Sequence, residues 1–262
     1  MSATNPLAPL VVDPRRAGVV SDFDGTLAPI VDDPTRARAL PAAVDALRDL
    51  VDVVALVAIV SGRPIDFLRS QIPVDGVTLV GQYGLERVVD GAPRVDPRAA
   101  TFVDAVAAAA TEAEARFPRL VTERKGQVAF TLHWRTTPDA APAPDALRDL
   151  ARAYGLSLTP GRMAAELRVP VPVDKGVALQ GLLDGSTLRA CLFAGDDHGD
   201  RPAFAALADQ QRRDPGFVGL AVAVRSAESP PPLLDAADLV VEGPAGLAAL
   251  LADLAGTLTP PR

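Results

Sequence analysis

The sequence is poor in the residues on which several chemistries depend. It has one cysteine, Cys191, in 262 residues, so no internal disulfide can form and the fold asks for no oxidising compartment. Its two histidines, His133 and His198, are too few and too separated for a zinc-hydrolase motif. The longest unbroken apolar run, residues 53–60, is far too short to span a bilayer. The N-terminus has no basic flank followed by an apolar core, so no signal peptide is expected. Basic runs are missing as well: 26 Lys and Arg stand against 33 Asp and Glu, a net charge of −7, which suits neither nucleic acid nor an anionic membrane. There is no G-x-S-x-G elbow, no P-loop and no G-x-G-x-x-G. With 48% hydrophobic and 23% charged residues, the chain still has material for a real core. The expectation is a soluble cytoplasmic protein without a nucleic-acid or membrane partner, and a monomer is the working expectation.

The pattern along the chain alternates. Residues 19–23 form a short apolar strand, 41–50 carry apolar residues at helical spacing, and 53–60 read as a β-branched strand buried on both faces. A helix over 64–70 and a strand over 77–80 follow. The same grammar returns late: helix 173–183, strand 190–194, helix 201–208, strands 218–224 and 239–241, helix 245–254. Such alternation implies right-handed parallel βαβ units. The middle differs, with a long Ala-rich helix over 99–117, antiparallel strands over 120–123 and 127–135, a helix over 145–154, and strands over 156–159 and 163–169. The reading is an α/β parallel-sheet core, residues 1–83 and 170–262, interrupted by an α+β insertion over 84–169. Both ends, 1–14 and 258–262, are Pro-rich and expected to be loose.

Four motifs carry the chemistry. Asp22-Phe23-Asp24-Gly25-Thr26 ends the first strand, and residues two apart on a strand face the same side, so Asp22 and Asp24 share the crevice while Phe23 points inward. Two carboxylates this close call for a hard cation or a shared proton, and a carboxylate can attack phosphorus. Ser61-Gly62-Arg63 follows the second strand with a hydroxyl and backbone N–H groups suited to a phosphate oxygen, although Ser61 also suits a helix N-cap. Lys175 opens a helix, an end that favours anions, and a bound phosphate would reconcile the two. Asp196, Asp197 and Asp200 follow another strand and suit a Mg²⁺ site. Each has an ordinary structural explanation, as turn, cap, solvated lysine or acidic loop. All four converge on one sheet edge, which fits Mg²⁺-dependent phosphoryl transfer. Cys191 lies inside a strand and reads as core.

In this order, Asp-x-Asp-Gly-Thr, Ser, Lys and Gly-Asp-Asp resemble the haloacid-dehalogenase-like (HAD) phosphohydrolase superfamily. More narrowly the chain resembles the trehalose-6-phosphate phosphatase family over residues 18–250. That narrower likeness rests on Asp22 to Val31, Ser61-Gly62-Arg63, Gly81-x-x-Gly84-x-Glu86, Glu123-x-Lys125, His133-Trp134-Arg135, Glu166-Leu167-Arg168 and Lys175-Gly176. The resemblance implies a Rossmann-like HAD core with an inserted α+β cap domain that sets substrate specificity. It implies Asp22 as nucleophile, Asp24 as the acid and base, and Mg²⁺ held by Asp22, the carbonyl of Asp24 and Asp196, with Asp197 and Asp200 in support. Ser61 and Lys175 would hold the phosphate, with Thr26 and Arg63 as further substrate contacts. Glu123, Lys125 and Glu166 would grip the distal glucose, and Arg135 would sit near the phosphate end. The implied activity is hydrolysis of trehalose 6-phosphate, a step of trehalose biosynthesis. The nearest alternative is a related HAD phosphatase acting on a sucrose-, glycosylglycerate- or pseudo-disaccharide phosphate. A catalytically dead phosphate sensor and a receiver-type signalling domain fit less well. Two stretches depart from the family's usual pattern: Gln82-Tyr83 where it often has Asn-His, and Gly199-Asp200-Arg201 where it often has Thr-Asp-Glu.

Overall fold

A computed structural model describes residues 5–259 except Asp32, Asp90, Arg162 and Glu228. Its strands in chain order are β1 (Ala17–Ser21), β2 (Leu56–Val60), β3 (Thr78–Gly81), β4 (Glu86–Val89), β5 (Ala92–Val95), β6 (Val121–Lys125), β7 (Ala129–His133), β8 (Ser157–Gly161), β9 (Ala164–Arg168), β10 (Ala190–Gly195), β11 (Val218–Arg225) and β12 (Leu239–Glu242). The chain divides into two compact units. One comprises Met1–Gly62, Asp66–Gly84 and Val173–Arg262, the other Arg63–Ile65 and Leu85–Pro172.

The first unit is an α/β layer structure. Its parallel strands run in the order β12-β11-β10-β1-β2-β3, with Val20 level with Phe193 on one side and Ala58 on the other. The central strands β1, β2 and β10 are dominated by apolar residues and buried along nearly their whole length because both faces are covered. One face, carrying Val20, Val60 and Phe193, packs on Leu179 and Leu183 of the helix Lys175–Leu183 and on Phe204 and Leu207 of the helix Arg201–Arg213. On the other lie the helices Pro41–Val51 and Gly243–Leu258, which bury Leu47, Leu50, Leu247 and Leu251. The chain leaves β1 toward β2 and β3, then returns through β10 on β1's opposite flank. The order therefore reverses at the carboxyl ends of β1 and β10, where open α/β sheets form their ligand crevice.

The second unit holds an antiparallel sheet in the order β6-β7-β9-β8 and the hairpin β4–β5. The helix Val103–Arg116 buries Val106, Ala109, Ala110 and Ala113.

Several expected elements change extent for local reasons. Val53 and Val54 donate to the Leu50 carbonyl and complete the preceding helix's last turn, so the strand begins only at Leu56. The Ala-rich helix is two, Pro97–Ala100 and Val103–Arg116, because Asp96 caps the Arg98 amide and starts a turn of its own. The hairpin β4–β5 is an addition: Pro93 within β5 masks the strand pattern in the sequence, yet Val88 pairs with it across the hairpin. Of the expected loose ends, residues 8–12 form a helix with Leu10 buried, and Leu258 closes a regular helix. Residues 1–4 and 260–262 lie outside the described residues.

Candidate active site

The loop after β1 is shaped by its own backbone bonds. The Phe23 carbonyl accepts from the Thr26, Leu27 and Ala28 amides, and Phe23 is fully buried with its ring 5.5 Å edge-on from Phe67. That turn leaves Asp22 buried, Asp24 half-buried and Thr26 buried. Gly25 has φ 77°, and a Cβ there would sit 2.0 Å from Asp196 Oδ2. Only glycine meets both demands, so the motif's Gly lets the two loops approach. The Thr26 hydroxyl donates to Asp196 Oδ1 at 3.1 Å, which fastens the loops after β1 and β10.

The loop after β10 is organised by Asp200, which is fully buried. Its Oδ2 accepts from the amides of Asp196 (2.9 Å) and Asp197 (3.1 Å), while exposed Asp197 accepts from the Gly199 amide, a capping box. Asp200 Oδ1 accepts from Lys175 Nζ at 2.7 Å. Lys175 in turn lies 2.8 Å from Asp22 Oδ1. Asp174 caps its helix through the Val177 amide, and Gly176 leaves room for the Pro202 carbonyl, which a Cβ would meet at 2.5 Å.

The electrostatics follow from burial. Removal from water pushes Asp22 well above the usual carboxylate range, against the pull of Lys175. Burial likewise raises Asp200 and, with Asp200 and Asp197 adding to it, pushes Asp196 up to about 7. For Lys175 burial alone would favour loss of the proton, but Asp22, Asp200 and Asp197 outweigh it and raise the pKa above that of ordinary lysine. The carboxyl shifts share two causes, removal from water first and then the crowding of several carboxylates about one ammonium. Ligand oxygens of Asp22, Asp196 and Asp200 lie within 4.8 Å of one another. Hard carboxylate oxygens in negative excess are the donor set a Mg²⁺-like ion takes, so the residues fit such an ion. Asp200 already serves Lys175 and two amides, which leaves Asp22 and Asp196 as the carboxylates of this set nearer to availability.

Beside β1, Ser61 is buried after β2; its amide donates to the Val80 carbonyl and its carbonyl accepts from Tyr83. The first amide of the helix Ile65–Gln71 is capped instead by Glu86 Oε2 at 3.0 Å, a role that only the structure reveals. Arg63 is half-buried. Cys191 is buried in β10 and its thiol is pushed up to about 12 by burial, as befits core.

In the second unit, the sheet register brings Glu123, Thr131 and Glu166 level across β6, β7 and β9. Lys125 Nζ pairs with Glu166 Oε2 at 2.7 Å, and Glu123 Oε2 lies 2.9 Å from His133 Nε2. His133, part of the His133-Trp134-Arg135 motif, carries no expected role of its own; the structure gives it one as the partner of Glu123. Arg135 is exposed on the turn after β7.

The family model described as trehalose-phosphatase matches residues 20–231, a span that includes every motif above. The chain belongs to the trehalose-phosphatase family. Among this family member's relatives is a protein described as a trehalose-phosphate phosphatase of Mycobacterium leprae, 31% identical over 229 residues, covering 82% of this chain and 52% of the relative. An uncharacterized glycosyl hydrolase of Mycobacterium tuberculosis is 34% identical over 227 residues, 82% of this chain but 16% of the relative. The chain thus spans about half of the phosphatase and a small part of the hydrolase. Among solved structures, the C-terminal domain of Candida albicans trehalose-6-phosphate phosphatase superposes with a TM-score of 0.68 at 22% identity, covering 97% of each chain. A trehalose-6-phosphate phosphatase related protein reaches 0.72 at 23% identity, covering 91% of this chain and 97% of that one. At these identities the likeness speaks for the HAD-like fold of this trehalose-phosphatase family member.

Proposed function

We propose that this chain is a divalent-cation-dependent phosphatase that hydrolyses trehalose 6-phosphate to trehalose and phosphate through an aspartyl-phosphate. The observation that carries the reading is Asp22: a buried carboxylate at the sheet's reversal point, 2.8 Å from a buried ammonium and beside a second buried carboxylate, Asp196. Family membership supports it, as does the half-matched relative described as a trehalose-phosphate phosphatase.

In this mechanism an Asp22 oxygen attacks phosphorus as the P–O bond to the sugar breaks, and Asp24 gives its proton to the leaving sugar oxygen. Asp24 then takes a proton from water, whose oxygen attacks phosphorus. The acyl-phosphate P–O bond breaks, phosphate leaves and the Asp22 carboxylate is regenerated. Lys175 and Ser61 hold the phosphoryl oxygens, and Lys175 also favours the ionised, nucleophilic form of Asp22. Asp22, Asp196 and the Asp24 carbonyl would hold Mg²⁺, which when bound supplies positive charge against a phosphoryl group that this acidic cluster would otherwise repel. Glu123, Lys125 and Glu166 of the insertion hydrogen-bond the sugar hydroxyls, with Arg135 nearer the phosphate. We place the activity in the cytoplasm, where a single buried thiol is at home.

The test is a panel of phosphorylated sugars with released phosphate measured. The expected result is the highest kcat/KM on trehalose 6-phosphate. A clear preference for a sucrose-, glycosylglycerate- or pseudo-disaccharide phosphate would move the assignment to that sugar. No release from any ester would overturn the reading.

A further inference from the structure

At Gln82 a strained backbone coincides with an unmet hydrogen-bond donor. Gln82 and Tyr83 follow the last residue of β3 with φ of 52° and 58°, and Gly84 continues at 101°. Two side-chain-bearing residues in succession stay in the left-handed region only where their surroundings hold them there, and such strain is typical of ligand sites. Here the clamp is visible. The Tyr83 amide donates to the Ser61 carbonyl at 2.9 Å. The Tyr83 ring occupies the space above Gly62, where a Cβ would come within 2.6 Å of its Oη. Gly84 lies against Ala178 of the helix that Lys175 opens. The turn is therefore wedged between the two elements that carry Ser61 and Lys175.

Gln82 is 3% exposed, and its Nε2 is the one buried side-chain polar atom among the described residues with no hydrogen-bond partner. A buried amide donor without an acceptor is unfavourable, and native chains tolerate one chiefly where something else supplies the acceptor. Resting on the phosphatase reading, we propose that Gln82 is a further phosphate-binding residue, its Nε2 donating to a phosphoryl oxygen that arrives with the substrate.

The experiment compares the full chain with Gln82→Met, of similar shape but without the amide, and Gln82→Glu, an acceptor in the donor's place. With excess magnesium chloride, binding of inorganic phosphate is measured by calorimetry. Thermal stability without ligand is measured alongside, as is kcat/KM on trehalose 6-phosphate and on a small aryl phosphate. Gln82→Met should bind phosphate about tenfold more weakly and lose about tenfold in kcat/KM on both substrates, with a ligand-free Tm equal to or above that of the parent. Gln82→Glu should bind phosphate more weakly still. Unchanged phosphate affinity in Gln82→Met, with or without a lower Tm, would overturn the proposal, since the amide then serves only the fold. A loss confined to trehalose 6-phosphate would also overturn it by moving the donor to the sugar. A parent chain that hydrolyses no ester but binds phosphate more tightly than Gln82→Met would refute the phosphatase reading and leave the Gln82 assignment standing.

Discussion

Lys175 Nζ and Asp22 Oδ1 stand 2.8 Å apart in an ion pair almost wholly closed off from water, with each side chain about 5–6% exposed. The same ammonium reaches Asp200 at 2.7 Å, so its removal would strand two buried carboxylates. Lys175→Met should abolish turnover and cost about 3–5 kcal/mol of stability at neutral pH. The deficit should shrink toward acid pH, where the carboxyls regain protons. Denaturant unfolding of parent and variant at several pH values checks this; a variant equally stable at neutral pH would mean the carboxylates need no counterion.

Asp22→Asn keeps the shape but removes the proposed nucleophile. Turnover should fall by roughly a thousandfold or more. Because burial opposes ionisation of Asp22, the uncharged Asn should leave Tm unchanged or raise it, with Lys175 still held by Asp200. Circular dichroism and phosphate release on one preparation separate the two effects, and a folded, active variant would exclude the covalent route.

Cation binding should be visible in stability. Asp196 has its pKa raised to about 7 in the fold, above the value near 4 of an unfolded carboxyl. Its contribution is therefore favourable below pH 4 and is lost as pH rises through 7. Mg²⁺ competes with that proton and needs the ionised carboxylate, so its stabilisation should be small at pH 5.5 and large at pH 8. At a hundred times its Kd, Mg²⁺ would add about 2.7 kcal/mol, or roughly 5–10 °C in Tm. Chelation should remove both this gain and activity, and Mg²⁺ should restore them. A Tm insensitive to Mg²⁺ at both pH values would contradict the assigned ligands.

Glu123→Ala, Lys125→Ala and Glu166→Ala distinguish sugar recognition from support of the fold. If these side chains bond sugar hydroxyls, each change should cost about 1.5–3 kcal/mol, roughly 10- to 150-fold, in kcat/KM on trehalose 6-phosphate. Hydrolysis of a small aryl phosphate should barely move. Because Lys125 and Glu166 are paired, their double variant should lose less than the sum of the singles. Equal losses on both substrates would mark these residues as structural.

Asp22, Lys175 and Asp196 are legible in the sequence because each follows a strand or opens a helix, and the sheet order carries those ends together; Asp24 lies in the turn beyond β1, which ends at Ser21 rather than Phe23, so strand periodicity does not place it. The clamp of Asp200 on Lys175 is not legible there, since it joins residues 25 positions apart through a loop whose shape depends on Gly195 and Gly199. Thr26, expected as a substrate contact, also donates its hydroxyl to Asp196, a bond between loops 170 residues apart that no local pattern announces. The strain at Gln82 and Tyr83 leaves no trace in composition, because neither residue type announces a positive φ. The parallel core strands are evident in the sequence but their ends are not, since neighbouring helix turns claim flanking valines such as Val53 and Val54.

The bond from Thr26 to Asp196 joins positions 170 residues apart. Its two loops meet only after β10 has docked beside β1, with the whole second unit synthesised between them. A nascent chain released before that strand would possess Asp22 and Ser61 yet lack Asp196 and Asp200, and with them the carboxylate cluster on which the proposed chemistry depends. Competence thus arrives late in biogenesis, and recovered turnover after dilution from denaturant would serve as a clock for completion of the central sheet.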